Sequence, residues 1–227
     1  MRILAIDTSL KACSVAIIDF GETVNVLAKS SVLIERSHAE RLMGDIETSL
    51  LDSQTDYDGL DRIVVCLGPG SFTGMRVGIA AARGIAFASG KQCVGVTSLA
   101  GFIDMVPDAG TVRLNCAVID ARRDELYFQI DAGMPQVGKI NVLADQIERR
   151  PVILCGNAAH YVADNLHQTD CKNVEVMQCI SPDIENIAAL GYLKTVGSKL
   201  PEPVYIRSPD AKKQTRTIIE HQLVSEK

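Results

Sequence analysis

The chain opens with three apolar runs separated by short polar breaks. "RILAID" (2–7), "CSVAIID" (13–19) and "TVNVLAKS" (23–30) are rich in aliphatic and β-branched residues, and only "TSLKA" and "FGE" lie between them. Breaks this short predict an antiparallel meander of three neighbouring strands. The period then changes. In "SHAERLMGDIETSLLD" the residues Leu42, Met43, Ile46 and Leu50 recur at helical spacing, and Ser37 followed by Glu40 makes a capping box for a helix over about 37–51. "RIVVCLG" (62–68) is continuously apolar, as a strand buried on both faces should be. It ends in a glycine turn that opens a helix of small residues, which leads to the strand "QCVGV" (92–96). The first half therefore reads β-β-β-α-β-α-β.

The second half repeats that order in shorter form. "LNCAVID" (114–120) ends in Asp120 as the first strand ends in Asp7, "LYFQI" (126–130) returns, and "LADQIERR" reads as a helix. "PVILCGN" then ends near Gly156 as the earlier apolar strand ends at Gly68, followed by the helix "AAHYVADNL", the strand "VEVM" and the helix "DIENIAALGYLKTV". A degenerate duplication of this period predicts an α/β fold of two related lobes, each a mixed sheet flanked by helices. Proline and glycine in "DMVPDAG" (104–110) put the boundary there, giving an N-terminal lobe over 1–105 and a shorter C-terminal lobe with a basic tail over 106–227.

Composition narrows the function. With 47% apolar and 22% charged residues among 227, the chain folds. A net charge of −5 opposes a broad nucleic-acid footprint, and the best basic cluster, Arg207, Lys212, Lys213 and Arg216, reads as a solvated tail. Seven cysteines without a C-x-x-C pair read as reduced thiols of a cytoplasmic protein. No apolar run approaches the roughly 18 residues of a membrane span.

Two features carry candidate chemistry. Gly68, Gly70 and Gly74 lie between a strand and a helix, where backbone N–H groups and the helix dipole favour an anion. With Ser71, Thr73 and the strand-end carboxylates Asp7 and Asp120 they are the candidate nucleotide-binding residues. The turn lacks the G-K-[ST] ending of a P-loop, so the alternative is a tight turn made of glycine for conformational reasons. Behind it Gly74, Gly78, Ala82 and Ala86 fall at four-residue spacing and leave a face nearly without side chains. That face packs closely either on the chain's own sheet or on a partner. The four histidines show no zinc-ligand spacing and no G-x-S-x-G elbow occurs, so neither catalytic nor metal-ligating residues are assigned.

"ILAIDTS", "SHAERL", "GPGSFTGMRVGIAAARGIA", "GVTSLAGF", "IDARRDELY" and "PEPVYIR", in this order along most of the chain, resemble the TsaB (YeaZ) family. The resemblance implies a duplicated actin-like, ribonuclease H-like fold and a role in forming threonylcarbamoyladenosine on tRNA. It further implies a noncatalytic subunit that binds the related catalytic protein TsaD and acts with the ATPase TsaE. Contact with tRNA would be indirect, and a homodimer would form when the partner is absent. ATP and metal are expected on the partners, with no cofactor in this chain. TsaD-type relatives hold a metal through a histidine pair, and Ser98 and Phe102 stand at the matching positions here. The family's first two helices supply the partner interface, which places Leu42, Met43, Ile46, Gly74, Gly78, Ala82 and Ala86 on it. The competing readings are a nucleotide-dependent kinase or ATPase of the same fold and, third, a metallopeptidase.

Overall fold

The computed structural model describes residues 1–34, 38–107, 113–166, 173–197 and 199–207. Ser37 of the expected capping box and the basic residues Lys212, Lys213 and Arg216 lie outside them. The meander forms as β1 (Arg2–Asp7), β2 (Ala12–Phe20) and β3 (Val24–Leu33). It is followed by α1 (His38–Asp52), β4 (Arg62–Cys66), α2 (Phe72–Ser89), β5 (Gln92–Val96) and α3 (Ser98–Asp104). The second half supplies β6 (Leu114–Asp120), β7 (Leu126–Ile130), β8 (Gln136–Gly138), α4 (Ile140–Ile147) and β9 (Val152–Gly156). It continues with α5 (Ala159–Leu166), β10 (Val174–Gln178) and α6 (Ile184–Leu193).

Two five-stranded sheets result, ordered β3-β2-β1-β4-β5 and β8-β7-β6-β9-β10. In each, the first three strands in sequence pair antiparallel and the last two join in parallel. The chemistry of the connections dictates this. Short polar breaks permit only hairpins, whereas β4 and β9 enter parallel because a helix carries the chain across first. The identical strand order makes the lobes two copies of one unit.

Each sheet has two faces to cover. On the first, Leu4, Ile6, Val15, Ile63 and Val65 pack against Leu42 and Ile46 of α1 and Met75, Ile79 and Ala82 of α2. Its other face, with Ile3, Ala5, Ala16, Ile18 and Val64, is covered by Ile184, Ile187 and Ala188 of α6. The second sheet packs one face on α4 and α5, and the other on Leu99 and Phe102 of α3. Thus α3 follows the first sheet yet covers the second, while α6 follows the second and covers the first. The lobes exchange helices. This modifies the expected division at residue 105, because α6, counted there with the C-terminal lobe, is a layer of the N-terminal one.

Arg62 fixes the exchange. Its buried guanidinium donates through Nη1 to the carbonyls of Gly191, Tyr192 and Lys194 at 2.8, 3.0 and 3.1 Å, gathering the C-terminal end of α6. A cation there also meets the negative end of the helix dipole. Lys194 Nζ donates to the Gly95 carbonyl at 2.6 Å, and the Tyr192 ring stacks on Phe20 with centroids 4.7 Å apart.

Candidate functional site

The glycine turn joins β4 to α2. Gly68 adopts φ +84°, a left-handed conformation that costs most side chains energy and glycine little. Ser71 caps α2, its Oγ accepting from the Gly74 N–H at 3.2 Å. The turn connecting β1 to β2 fills the space in front. Ser71 N–H donates to the Ser9 carbonyl at 2.7 Å, and Thr8 Oγ1 donates to the Gly74 carbonyl at 2.7 Å. A methyl group on Gly70 would strike the Ser9 carbonyl, and one on Gly74 the Thr8 carbonyl. The expectation that Gly68, Gly70 and Ser71 cradle a phosphate is therefore corrected. The N–H groups of Ser71 and Gly74 already have partners, and the chain's own backbone occupies the hollow; Thr73 is exposed on the first turn of α2.

The two strand-end carboxylates share one local arrangement. Asp7 Oδ1 accepts from the Ser9 N–H at 2.7 Å, and Asp120 Oδ1 from the Arg122 N–H at 2.7 Å. Their surroundings differ. Asp7 is 1% exposed, its Oδ2 is without a hydrogen-bond partner, and Cys66 and Ser9 lie beside it. Burial pushes the Asp7 carboxyl above the usual range, and the bond from Ser9 only partly offsets this. Asp120 is exposed and lines a cleft of about 540 Å³ with Lys11, Ile34, Asn157, His160 and Cys179. The structure thus gathers Asp7, Gly68, Gly70 and Ser71 around the first turn and leaves Asp120 apart, facing the cleft. Lys11 and His160 gave no signal in the sequence, since neither belongs to a spaced motif.

Helix α2 has two small-residue faces. Gly74, Gly78, Ala82 and Ala86 are all buried. A methyl group on Gly78 would strike Thr8 Oγ1 and lie 3.6 Å from Ile6, while Ala82 and Ala86 pack in the core with Leu42 and Ile46. The expectation that these six residues meet a partner is corrected: they close α2 and α1 onto the chain's own first sheet. Met43, which shares the helical spacing of Leu42, Ile46 and Leu50, differs from them in being 43% exposed. The opposite face of α2 carries Arg76, Ala80, Arg83, Gly84, Phe87 and Ala88, all exposed, with Phe87 at 92%. Between this face and α1 runs a groove of about 450 Å³ lined by Met43, Tyr57, Ala81, Gly84, Ile85 and Ala88. Among the described residues, a methyl group on Gly84 would meet nothing within 4 Å.

Residues 31–183 match the family described as "TsaD: tRNA N6-adenosine threonylcarbamoyltransferase". The tRNA threonylcarbamoyladenosine biosynthesis protein TsaB of Bacillus subtilis is 31% identical over 172 residues, which are 69% of this chain and 71% of that protein. TsaB of Haemophilus influenzae is 34% identical over 128 residues, 56% of this chain, so the match spans about half of that relative, 52%. The solved structure of YeaZ from Pseudomonas aeruginosa superposes with a TM-score of 0.74 at 26% identity, covering 90% of this chain and 99% of that one. The chain belongs to the TsaB (YeaZ) family. Its two exchanged lobes are the duplicated actin-like fold.

The resemblance set Ser98 and Phe102 where a TsaD-type relative is expected to hold a metal, and neither residue of this TsaB-family chain fits that role. Ser98 is fully buried, its Oγ donating to the Pro69 carbonyl at 2.6 Å and its N–H to the Gly68 carbonyl at 2.8 Å. Its hydroxyl thereby braces the glycine turn. Phe102 is fully buried among Leu99, Ile119 and Cys155 in the core under α3, and a phenyl ring ligates no metal. Among the described residues no three His, Cys, Asp or Glu side chains gather as a metal site would require.

Proposed function

We propose that this TsaB-family chain is a noncatalytic subunit that docks a TsaD-type subunit on the outer face of α2 and the adjoining groove of α1. Acting with a TsaE-type ATPase in the cytoplasm, the assembly transfers a threonylcarbamoyl group onto the adenosine beside the anticodon of tRNAs that read codons beginning with A. This chain supplies no cofactor; ATP and metal reside on the partner subunits. Its contact with tRNA is indirect, and alone it pairs with a second copy through the same face.

Gly84 carries the reading. Glycine inside a helix is unfavourable by about 0.5–1 kcal/mol relative to alanine. Gly78 is compensated by close packing on Thr8, but among the described residues Gly84 has no contact that a methyl group would disturb. A closely approaching partner supplies the missing reason, and the bare groove beside it with Met43 and Phe87 supplies apolar surface to bury. The test is Gly84→Leu, whose side chain points into open space and leaves the fold intact. We expect a normally folded variant that no longer co-purifies with the TsaD-type subunit and no longer supports tRNA modification. Full co-purification and modification by the folded variant would overturn the reading. Calorimetry with ATP tests the kinase or ATPase alternative, which requires micromolar binding and turnover by the isolated chain.

A further inference from the structure

The last described segment, residues 199–207, follows α6 without regular secondary structure and runs from one lobe to the other. Pro201 and Pro203 hold part of it extended at little entropic cost. On the first lobe, the Val204 N–H donates to the Leu67 carbonyl at 3.0 Å, just before the glycine turn. Tyr205 then lies against the N-terminal end of α2. Its hydroxyl accepts from Arg76 Nε at 2.9 Å, its ring stands 5.9 Å from that of Phe72, and the Arg76 guanidinium lies 3.7 Å from the Phe72 centroid. Ile206 packs into the core between α3 and the second sheet. Arg207 reaches the β6–β7 turn, where it pairs with the Glu125 carboxylate, donates to the Arg122 carbonyl at 3.5 Å and lies 6.0 Å over the Tyr127 ring.

That turn needs bracing. Arg122, Arg123 and Asp124 adopt φ of +61°, +58° and +58°, three consecutive side-chain-bearing residues in the left-handed region. L-residues visit this region singly and at a cost. Arg207 clasps both ends of the run, at the Arg122 carbonyl and the Glu125 side chain. The turn also follows Asp120, whose carboxylate lines the interlobe cleft.

We propose that residues 199–207 are a tie coupling occupancy of the α2 face to the conformation of the β6–β7 turn at the cleft. This rests on the docking reading above. Phe72 and Tyr205 are 56% and 47% exposed, and Phe72, Arg76, Ala80, Arg83 and Phe87 recur along α2 at spacings of four, four, three and four on the surface assigned to the partner. A partner that covers Phe72 and Arg76 also covers Tyr205. It thereby holds the segment in its tied position and Arg207 on the turn. Coupling is reciprocal, so loosening Arg207 weakens docking by the same factor as docking tightens the turn.

Hydrogen exchange of the amides of residues 121–126, with and without the TsaD-type subunit, tests the tie in the wild type and in Arg207→Ala. Arg207 lies outside the docking face, and the variant retains the contacts of α2. The expected result is about fivefold or greater slowing of exchange at the turn on complex formation in the wild type. In Arg207→Ala that slowing disappears while protection of 80–88 on α2 remains. Equal slowing in both proteins, or none in the wild type although α2 becomes protected, would overturn the coupling and leave the docking reading standing. Absence of protection on α2 in the wild-type mixture would instead overturn docking, and the coupling with it.

Discussion

The two glycines of α2 that differ in surroundings should respond to the same substitution with opposite signs. At Gly84, alanine meets no atom within 4 Å, so the change is left with the helix-propensity gain of about 0.5–1 kcal/mol. In a chain of this length that raises Tm by roughly 1–4 °C. At Gly78, the new methyl group displaces Thr8 Oγ1, which is 1% exposed and hydrogen-bonded to the Gly74 carbonyl at 2.7 Å. Turning Thr8 away loses a bond worth about 0.5–1.5 kcal/mol, and forcing its side chain aside in the close contact between β1 and α2 adds about 1–3 kcal/mol of overpacking. Set against the same propensity gain, Gly78→Ala loses about 0.5–4 kcal/mol. Urea unfolding of both variants beside the wild type, followed by circular dichroism, measures the pair. The assignment of the two faces fails if Gly78→Ala is as stable as the wild type, or if Gly84→Ala is destabilised by more than about 0.5 kcal/mol.

Further consequences follow from two buried groups and one half-buried thiol. Arg62→Ala strips three carbonyls at the end of α6 of a charged donor and should lose about 2–4 kcal/mol in urea unfolding, whereas a loss below about 0.5 kcal/mol would show that α6 is held by its apolar face alone. Because the folded-state value of Asp7 lies above 3.8, the folded chain keeps this proton where the unfolded chain releases it, so stability falls as pH rises from about 4 through the folded-state value. Asp7→Asn keeps the acceptor for Ser9 and removes the titration; it should flatten that decline, and parallel wild-type and variant curves would refute a buried acid. Burial pushes the Cys93 thiol up to about 11, so at pH 8 it should be alkylated about a hundredfold more slowly than an ordinary thiol at 9.0, as peptide mass mapping can follow. Labelling at the rate of the unfolded chain would contradict the burial.

How much of this was legible depended on what a period can encode. The meander, β4 and the duplicated order could be read because short polar breaks and continuous apolar runs each admit one local geometry. Burial was also legible at Leu42, Ile46 and Gly78, since small or apolar residues at helical spacing must pack on something. What they pack on was not. A pattern gives the phase of a face, and residues four apart drift by about 40° per step, so the stripe from Gly74 to Ala86 and the exposed one through Ala80, Gly84 and Ala88 look alike in sequence. The exchange of α3 and α6 was hidden for a different reason. The α3 segment "SLAGFID" spans seven residues, about two turns, too short to show a period, and nothing local reports that it covers the sheet of the other lobe. Strand β8, at three residues, is shorter still.

The duplication explains why one copy presents a long exposed helix face and the other does not. Both copies end their first strand in an aspartate holding the amide two residues on, and both place a glycine at positive φ at or just past the end of the central parallel strand, +84° at Gly68 two residues after β4 and +117° at Gly156 closing β9. The helices that follow diverge. In the first copy α2 runs for 18 residues, and its glycines let it sink onto β1 until Thr8 and Ser9 fill the hollow at its N-terminus. The corresponding α5 has eight residues, and the cleft beside its N-terminus stays open to Asp120, Asn157 and His160. Sinking α2 removes a place where an anion could sit. Length gives the same helix an outer surface of about 27 Å at 1.5 Å per residue, against about 12 Å for α5. Packing therefore closes the hollow and length supplies the outer face, so a side chain at Gly74 or Gly78 that forces α2 off β1 should reopen the first without shortening the second.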